Sequence, residues 1–556
     1  MTQSINAARF DRVKFIGKSQ FWVVLLAASG MSFMFGCGGG SGSASSTESS
    51  GGSNSSGASA GGSPAALGGA PTSGGFGTTG GQPSSSGGGA AGALQASGGG
   101  AAGASEAGGP ATGGSAATSG GGVGGGSAGS SGGDAGMGGA GLAGSAGKTP
   151  GTAAANAATV DPSKQYQTMD GFGFADVWQA KGNSTPTLLT LLFDPVNGIG
   201  ASLLRIGIDG TSGKPNIMGD AAFVDGPAVV KYGGKVWAAP WSPPATDKDN
   251  NNVNNGGHLL AADYDSWASV LAAFPAYYKQ QSGVDLYAIS AQNEPDFVAS
   301  YQSCIFNSTQ MNAWIKVLQP KLAALKPPVA VLAAEPDAYS NLWGGDNYGN
   351  AILNDATVSP LVTIIATHDY DNASSKSTTR PAPPAGANST HHLWETEATY
   401  NSTGAGITPG LDIARGIYAA VTGGGVNGWL YWWTQSLMDG GTASNPPKRV
   451  YGLGNFSKFV RPGYVRIGVT GQPSSLQVAT FKNPADNSVV IVVLNSGTSA
   501  VTLPVFVSGA SWPATVTPYV TDSAHNLAAQ SPITVTAANF SASVAAQSIT
   551  TFVGKP

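Results

Sequence analysis

The sequence predicts a (β/α)8 barrel carrying an antiparallel β-sandwich as a side domain, and three observations lead there. After Thr159, eight short, mostly apolar runs alternate with segments of helical period, as repeated strand–helix units around a parallel sheet do. Polar and charged residues collect at the C-terminal ends of those runs, which is where barrel enzymes keep their chemistry. Beyond Tyr464 the helical period stops, and short strand-like runs with Asn-Ser and Ser-Gly punctuation take over.

The eight runs are residues 169–174, 202–208, 236–240, 286–292, 329–334, 362–368, 393–397 and 428–433. Most are apolar throughout, as strands buried on both faces are. Between them, 266–281, 311–325 and 411–421 carry apolar residues at three- and four-residue spacing, the mark of one buried helical face. An open doubly wound sheet is the alternative, but no convincing glycine-rich phosphate loop follows the first run. The barrel is therefore expected over 158–464, with 158–168 adding a strand to the side domain, and the sandwich over 465–556.

What precedes the barrel is of another kind. Arg9, Arg12, Lys14 and Lys18 lead into an apolar run over about 21–35 that is short for a membrane span and ends in glycines, so 1–37 reads as a signal peptide. Its end, Phe33-Met34-Phe35-Gly36-Cys37, resembles a bacterial lipobox and makes Cys37 a lipidation candidate. With Gly38 following, the expected location is the outer membrane of a bacterium through a lipid anchor, simple secretion being the alternative. Residues 38–157 are Gly, Ser, Ala and Thr with almost no large apolar side chain, which cannot offset the entropy of ordering. Such a tether spans about 60 Å on average. A G-x-S-x-G match at Gly125-Gly126-Ser127-Ala128-Gly129 lies inside it without the strand and helix an esterase elbow needs.

Composition narrows the function. Charged residues make up 10% of the chain and the net charge is −4, which argues against nucleic acid or an anionic membrane surface as partner. Twelve tryptophans and 16 tyrosines suit a neutral sugar polymer, whose C–H faces stack on aromatic rings. Cys37 and Cys304 stand in settings too different to pair, and Cys304 reads as a small buried hydrophobe. The five histidines show no ligand spacing, so neither metal nor organic cofactor is expected. A monomer is expected.

The chemistry rests on two carboxyls brought to one rim. Glu294 follows the fourth run in Gln292-Asn293-Glu294-Pro295-Asp296, where Asn293 could hold a sugar 2-hydroxyl and Pro295 would stop the strand. The seventh run ends Leu393-Trp394-Glu395-Thr396-Glu397, and strand alternation points Glu395 and Glu397 the same way, so that one of them is the second carboxyl. Arg205, Trp241, His368, Tyr370, Trp432 and Trp433 sit in or just past other runs. Cleavage of a glycosidic bond with retention needs such a pair about 5 to 5.5 Å apart, one a proton donor and one an ionised nucleophile.

These motifs, taken with Asp170-Gly171-Phe172-Gly173, Leu204-Arg205-Ile206, Pro240-Trp241-Ser242-Pro243-Pro244, Thr367-His368-Asp369-Tyr370, Phe456 to Tyr464 and Ala546 to Phe552, resemble glycoside hydrolase family 30 over nearly all of 159–556. The resemblance implies Glu294 as acid/base and Glu397 as nucleophile, with Glu395 supporting. It implies that Arg205 bonds to the nucleophile and keeps it ionised, that Asn293 grips the 2-hydroxyl, that His368 and Tyr370 line the site, and that Trp241 and Trp433 form its walls. Within the family the chain is most similar to bacterial endo-xylanases that recognise glucuronic acid branches. Those enzymes place an arginine shortly after the eighth-strand tryptophans, whereas Thr434-Gln435-Ser436-Leu437 here holds no cation. The implied activity is endo-β-1,4-xylanase-like with weak dependence on glucuronate. Another β-glycanase of the family, of β-1,6-galactanase, β-1,6-glucanase or β-glucosidase type, or a non-catalytic surface carbohydrate-binding protein, is the alternative.

Overall fold

The computed structural model describes residues 151–372, 379–509 and 511–556. The leader, Cys37 and nearly all of the tether lie outside the described residues.

Eight parallel strands close into a barrel in chain order: β2 (Gly171–Ala175), β3 (Leu203–Ile208), β4 (Lys235–Pro240), β5 (Ala288–Ser290), β6 (Ala330–Ala334), β7 (Ile364–His368), β8 (His392–Glu397) and β9 (Gly428–Tyr431). All eight runs read from the sequence are present. Nearly every strand residue is buried, because helices cover the outside and side chains fill the inside. The fourth run is shorter than expected, since residues 291–294 leave the sheet before Pro295 and Glu294 takes a left-handed φ of 45°. That departure aims the end of the run across the barrel mouth.

The helices show local reasons for their ends. Ser308–Ala323 begins with a reciprocal cap in which the Asn307 side chain accepts from the Gln310 N–H and the Gln310 side chain accepts from the Asn307 N–H. Tyr264–Ser282 stops at Gly283, whose left-handed φ of 75° needs no Cβ. The helix Ile407–Thr422 is buried along most of its length and meets the helix Lys448–Ser457 closely enough that a Cβ on Gly452 would sit 2.3 Å from the Gly410 carbonyl oxygen. No helix among the described residues is long and apolar enough to cross a membrane.

A ten-stranded sheet forms the C-terminal domain. It comprises β1 (Ala158–Thr168) with β10 (Val465–Thr470), β11 (Gln477–Lys482), β12 (Val489–Asn495), β13 (Val501–Val507), β14 (Thr515–Thr521), β15 (Ala528–Ala529), β16 (Ile533–Thr534), β17 (Asn539–Val544) and β18 (Ser548–Gly554). The segment before the barrel, β1, pairs antiparallel with β10 and parallel with β13, so the chain enters the side domain before it enters the barrel. Residues 151–157, read from composition as the end of the tether, already touch this domain: the Gly151 N–H donates to the Ala537 carbonyl at 3.1 Å and that of Ala154 to Asn539 Oδ1 at 3.2 Å. The two domains are fastened by buried polar bonds, with Asn455 Nδ2 donating to Thr521 Oγ1 at 2.8 Å and Thr551 Oγ1 to Asn455 Oδ1 at 3.0 Å.

Candidate active site

Five of the barrel strands, β3 and β5 to β8, contribute to a cluster at the C-terminal mouth of the barrel. Arg205 on β3 is fully buried, and its guanidinium is divided: Nη1 reaches Glu397 Oε2 at 2.5 Å, while Nη2 reaches Glu335 Oε1 at 2.9 Å and donates to Asn293 Oδ1. His368 at the end of β7 places Nδ1 3.3 Å from Glu294 Oε1 and Nε2 3.4 Å from Glu335 Oε1 and 3.7 Å from Glu397 Oε2. The Tyr370 hydroxyl donates to Glu397 Oε1. Asn293 Nδ2 donates to Glu294 Oε2 at 3.4 Å, and the Tyr301 hydroxyl donates to the same oxygen at 3.2 Å. The structure thus brings Arg205, Asn293, Glu294, His368, Tyr370 and Glu397 together. Carboxylate oxygens of Glu294 and Glu397 lie within 4.8 Å of each other.

The electrostatics differ from expectation in one respect. Burial pushes the Glu397 carboxyl above its ordinary range; the charges of His368 and Arg205 pull it back only in part, and that of Glu294 adds to the rise. Arg205 does touch Glu397, but it shares its charge with Glu335. For Glu335, burial also acts upward, yet Arg205, His368 and Ser290 outweigh it and hold that carboxylate below the ordinary range. His368 is driven the other way: burial disfavours its charge, but Glu397, Glu294 and Glu335 overcome this and raise it to about 10. Glu294, His368 and Glu397 are spaced as a metal trio could be. The positive charge those carboxylates call for is already supplied by Arg205 and the imidazolium.

One expectation is corrected. Glu395 and Glu397 do not share a face: Thr367 pairs with Glu395 but His368 with Glu397, so a bulge at Thr396 breaks the alternation. Glu395 instead accepts from Trp429 Nε1 at 2.6 Å and lies 3.4 Å from Arg380 Nε, in a second buried cluster where Arg380 also pairs with Asp369. Trp241 and Trp433 are almost wholly buried, as Glu294 and Glu397 are. The Trp241 ring covers the Arg205 guanidinium at 4.8 Å and Trp433 stacks on Trp432 at 5.4 Å, while Trp178, 39% exposed, crosses all three rings at 5.6 to 6.1 Å. Trp178 and the half-buried Trp432 are the aromatic faces nearest to solvent.

Sequence reasoning passed over Glu335, Tyr301, Trp178 and Arg380. For Glu335 a signal existed. Glu335-Pro336-Asp337 repeats Glu294-Pro295-Asp296 at the next strand end, both glutamates take a left-handed φ (67° and 45°), and the Glu294 N–H donates to the Glu335 carbonyl at 3.0 Å. The paired aspartates meet as well, the Asp337 N–H donating to Asp296 Oδ1 at 2.9 Å. Burial, with the charges of Asp296 and Glu294, raises the Asp337 carboxyl to about 9. The folded state then binds a proton that the unfolded chain releases above its ordinary value of 3.8, so stability is lost as pH rises between that value and about 9. His368 adds a loss in the same direction between 6.5 and about 10. The melting temperature should therefore fall on going from pH 6 to pH 9, and Asp337→Asn should flatten that fall; an equally steep fall in the variant would exclude Asp337 as its source.

A closed (β/α)8 barrel whose fourth and seventh strand ends present two glutamates to one cleft, backed by a buried arginine and flanked by tryptophans, defines a carbohydrate-cleaving barrel hydrolase. The chain belongs to glycoside hydrolase family 30 and is a glycosyl hydrolase. The family's TIM-barrel domain matches residues 228–406 and its beta sandwich domain residues 463–552. Glucuronoxylanase XynC of Bacillus subtilis (strain 168) is 30% identical over 413 residues, 72% of this chain and 92% of that protein. The family 30 subfamily 8 xylanase Xyn30A of Clostridium acetobutylicum superposes with a TM-score of 0.63 at 29% identity, covering 72% of this chain and all of that one. Putative glucosylceramidase 1 of Caenorhabditis elegans is 26% identical, covering 61% of this chain and 76% of that protein.

Proposed function

We propose that the protein is a retaining endo-β-1,4-xylanase-like hydrolase in which Glu294 is the acid/base and Glu397 the nucleophile. The supporting observation is the separation of the two carboxylates. One oxygen of each lies within 4.8 Å of the other, nearer to the roughly 5 to 5.5 Å carboxyl separation of retaining enzymes than to the ~6.5 to 9.5 Å at which inverting enzymes hold a water between their carboxyls. In this reading Glu294 protonates the departing oxygen while Glu397 attacks the anomeric carbon. Glu294 then takes a proton from the water that releases the covalent sugar. Tyr370 and Arg205 hold Glu397 in line, and Asn293, fixed by Arg205, faces the sugar 2-hydroxyl.

The xylan reading draws on the relatives named as xylanases. The weak dependence on glucuronate draws on the rim beyond β9. Residues 434–437 form a short turn of helix there, and the exposed Gln435 donates to Gln179 Oε1 at 3.2 Å, an amide pair where a guanidinium would be needed to take a carboxylate. The next cations along the chain are engaged elsewhere, Lys448 with the His525 carbonyl and Arg449 with Ser402, Gly404 and Asp439. A hydrogen bond to a charged group is worth about 1.5 to 3 kcal/mol, roughly tenfold or more in rate. Initial rates on glucuronoxylan and on unbranched xylan should therefore agree within a few-fold. A preference of about tenfold or more for the branched polymer would overturn the specificity, and no cleavage of either would overturn the xylan reading.

A further inference from the structure

Glu335 has no contact with solvent, yet both cations of the site, Arg205 and His368, converge on it as they do on Glu397. It has no solvent exposure, whereas Glu294 and Glu397 keep 6% and 4%. Ser290 Oγ donates to its Oε2 at 2.6 Å, and its Oε1 faces both Arg205 Nη2 at 2.9 Å and His368 Nε2 at 3.4 Å. The other ends of those two cations face Glu397 and Glu294. Glu335 lies behind the pair, with one cation on each path to it.

We propose that Glu335 is a positioning residue for the hydrolysis: its carboxylate anchors Arg205 and His368 from behind, holds them against Glu397 and Glu294, and so leaves the pair with a single proton between them. The proposal rests on the reading of Glu294 and Glu397 as the reacting pair. The charge count gives its logic. Three carboxylates (Glu294, Glu335 and Glu397) against two cations (Arg205 and protonated His368) leave one net negative charge, and a buried cluster removes it by keeping one proton. One protonated and one ionised carboxyl is the state a retaining reaction starts from.

Without the Glu335 charge the His368 cation loses a counter-ion. A neutral imidazole beside Glu294 then competes for the proton that the leaving group requires. Every charged neighbour of His368 bears on this: Glu294 beyond β5, Glu335 beyond β6 and Glu397 on β8 directly, Arg205 on β3 through the carboxylates it shares with His368, and Asp337 and Tyr370 beyond them. Arg205, His368 and Ser290 hold Glu335 below the ordinary carboxylate range, whereas burial pushes Glu397 and Asp337 above theirs. Glu335 is therefore the one that sustains the imidazolium.

The test pairs kinetics with the imidazole NMR spectrum, tractable with five histidines in the chain. In the wild type one imidazole should stay protonated through pH 9. In Glu335→Gln that imidazole should titrate about one unit or more lower. Turnover should fall on the order of 10²-fold through misplacement of the pair, and KM should stay within about threefold. The alkaline limb of the kcat profile should move down with the imidazole. Glu335→Asp, which restores the charge, should return the titration towards the wild-type value and serves as the second variant if the glutamine form does not fold. A folded Glu335→Gln with wild-type turnover, or an imidazole titration that does not move in either variant, overturns the proposal. If Glu294→Gln and Glu397→Gln themselves turn over normally, the underlying reading falls instead; if those two are silent while Glu335→Gln is not, only the role of Glu335 falls.

Discussion

Glu397→Gln should abolish hydrolysis of every substrate, by at least about 10⁴-fold, while Glu294→Gln should lose comparable activity only where the leaving group needs a proton. The asymmetry follows from the roles. An amide at 397 cannot form the covalent sugar, so leaving-group quality cannot compensate. An amide at 294 cannot donate a proton, but an aryl leaving group of low pKa departs without one, and the first turnover on such a substrate should survive as a burst. Comparing kcat/KM on the polymer and on an activated aryl glycoside for both variants reads out the assignment. The two glutamines are nearly isosteric with the residues they replace, so folding should persist and can be checked by the unfolding midpoint. A protein that only bound the polymer would show no hydrolysis to lose.

Arg205→Met should be the most destabilising single change at the site, costing about 3 to 5 kcal/mol at neutral pH. Methionine fills much of the volume but leaves Glu335 and Glu397 buried without their shared guanidinium, and it forfeits the cation–π contact with Trp241. Lysine should not rescue it, since a single ammonium nitrogen does not span the Glu397, Glu335 and Asn293 oxygens that the planar fork reaches from two separate nitrogens. The cost should be partly relieved by adding Glu335→Gln, which removes one of the stranded charges. Chemical denaturation of the three proteins measures this. A loss below about 1 kcal/mol for Arg205→Met would mean that the ion pairs contribute no more than exposed ones.

The barrel was legible because its strands are buried on both faces and therefore read as uninterrupted apolar runs. Where the fourth reading overran the C-terminal end of its strand, at 291 and 292, the chain keeps an apolar-to-polar texture on its way to Glu294. That Glu294 and Glu397 meet at one mouth was legible because both glutamates stand at the ends of such runs. Glu335 stands there too, but a lone acidic residue before Pro336 reads as the start of a loop, and only its match to Glu294-Pro295-Asp296 distinguishes it. The different settings of Glu395 and Glu397 were hidden because a one-residue bulge leaves no mark in the alternation of types. Trp178 and Arg380 come from connections, which carry no periodicity; Trp178 meets Trp241 and Trp433 across 63 and 255 residues of chain, and Arg380 meets Asp369 and Glu395 across 11 and 15.

The anomeric form of the first product tests the central claim most directly. Two carboxylates this close should act through a covalent sugar intermediate, so proton NMR during the first minutes of hydrolysis should show the new reducing end appearing as the β-anomer, with the α-anomer growing in only by mutarotation. Initial accumulation of the α-anomer would mean that water attacks the sugar directly, and that Glu397 is not the nucleophile.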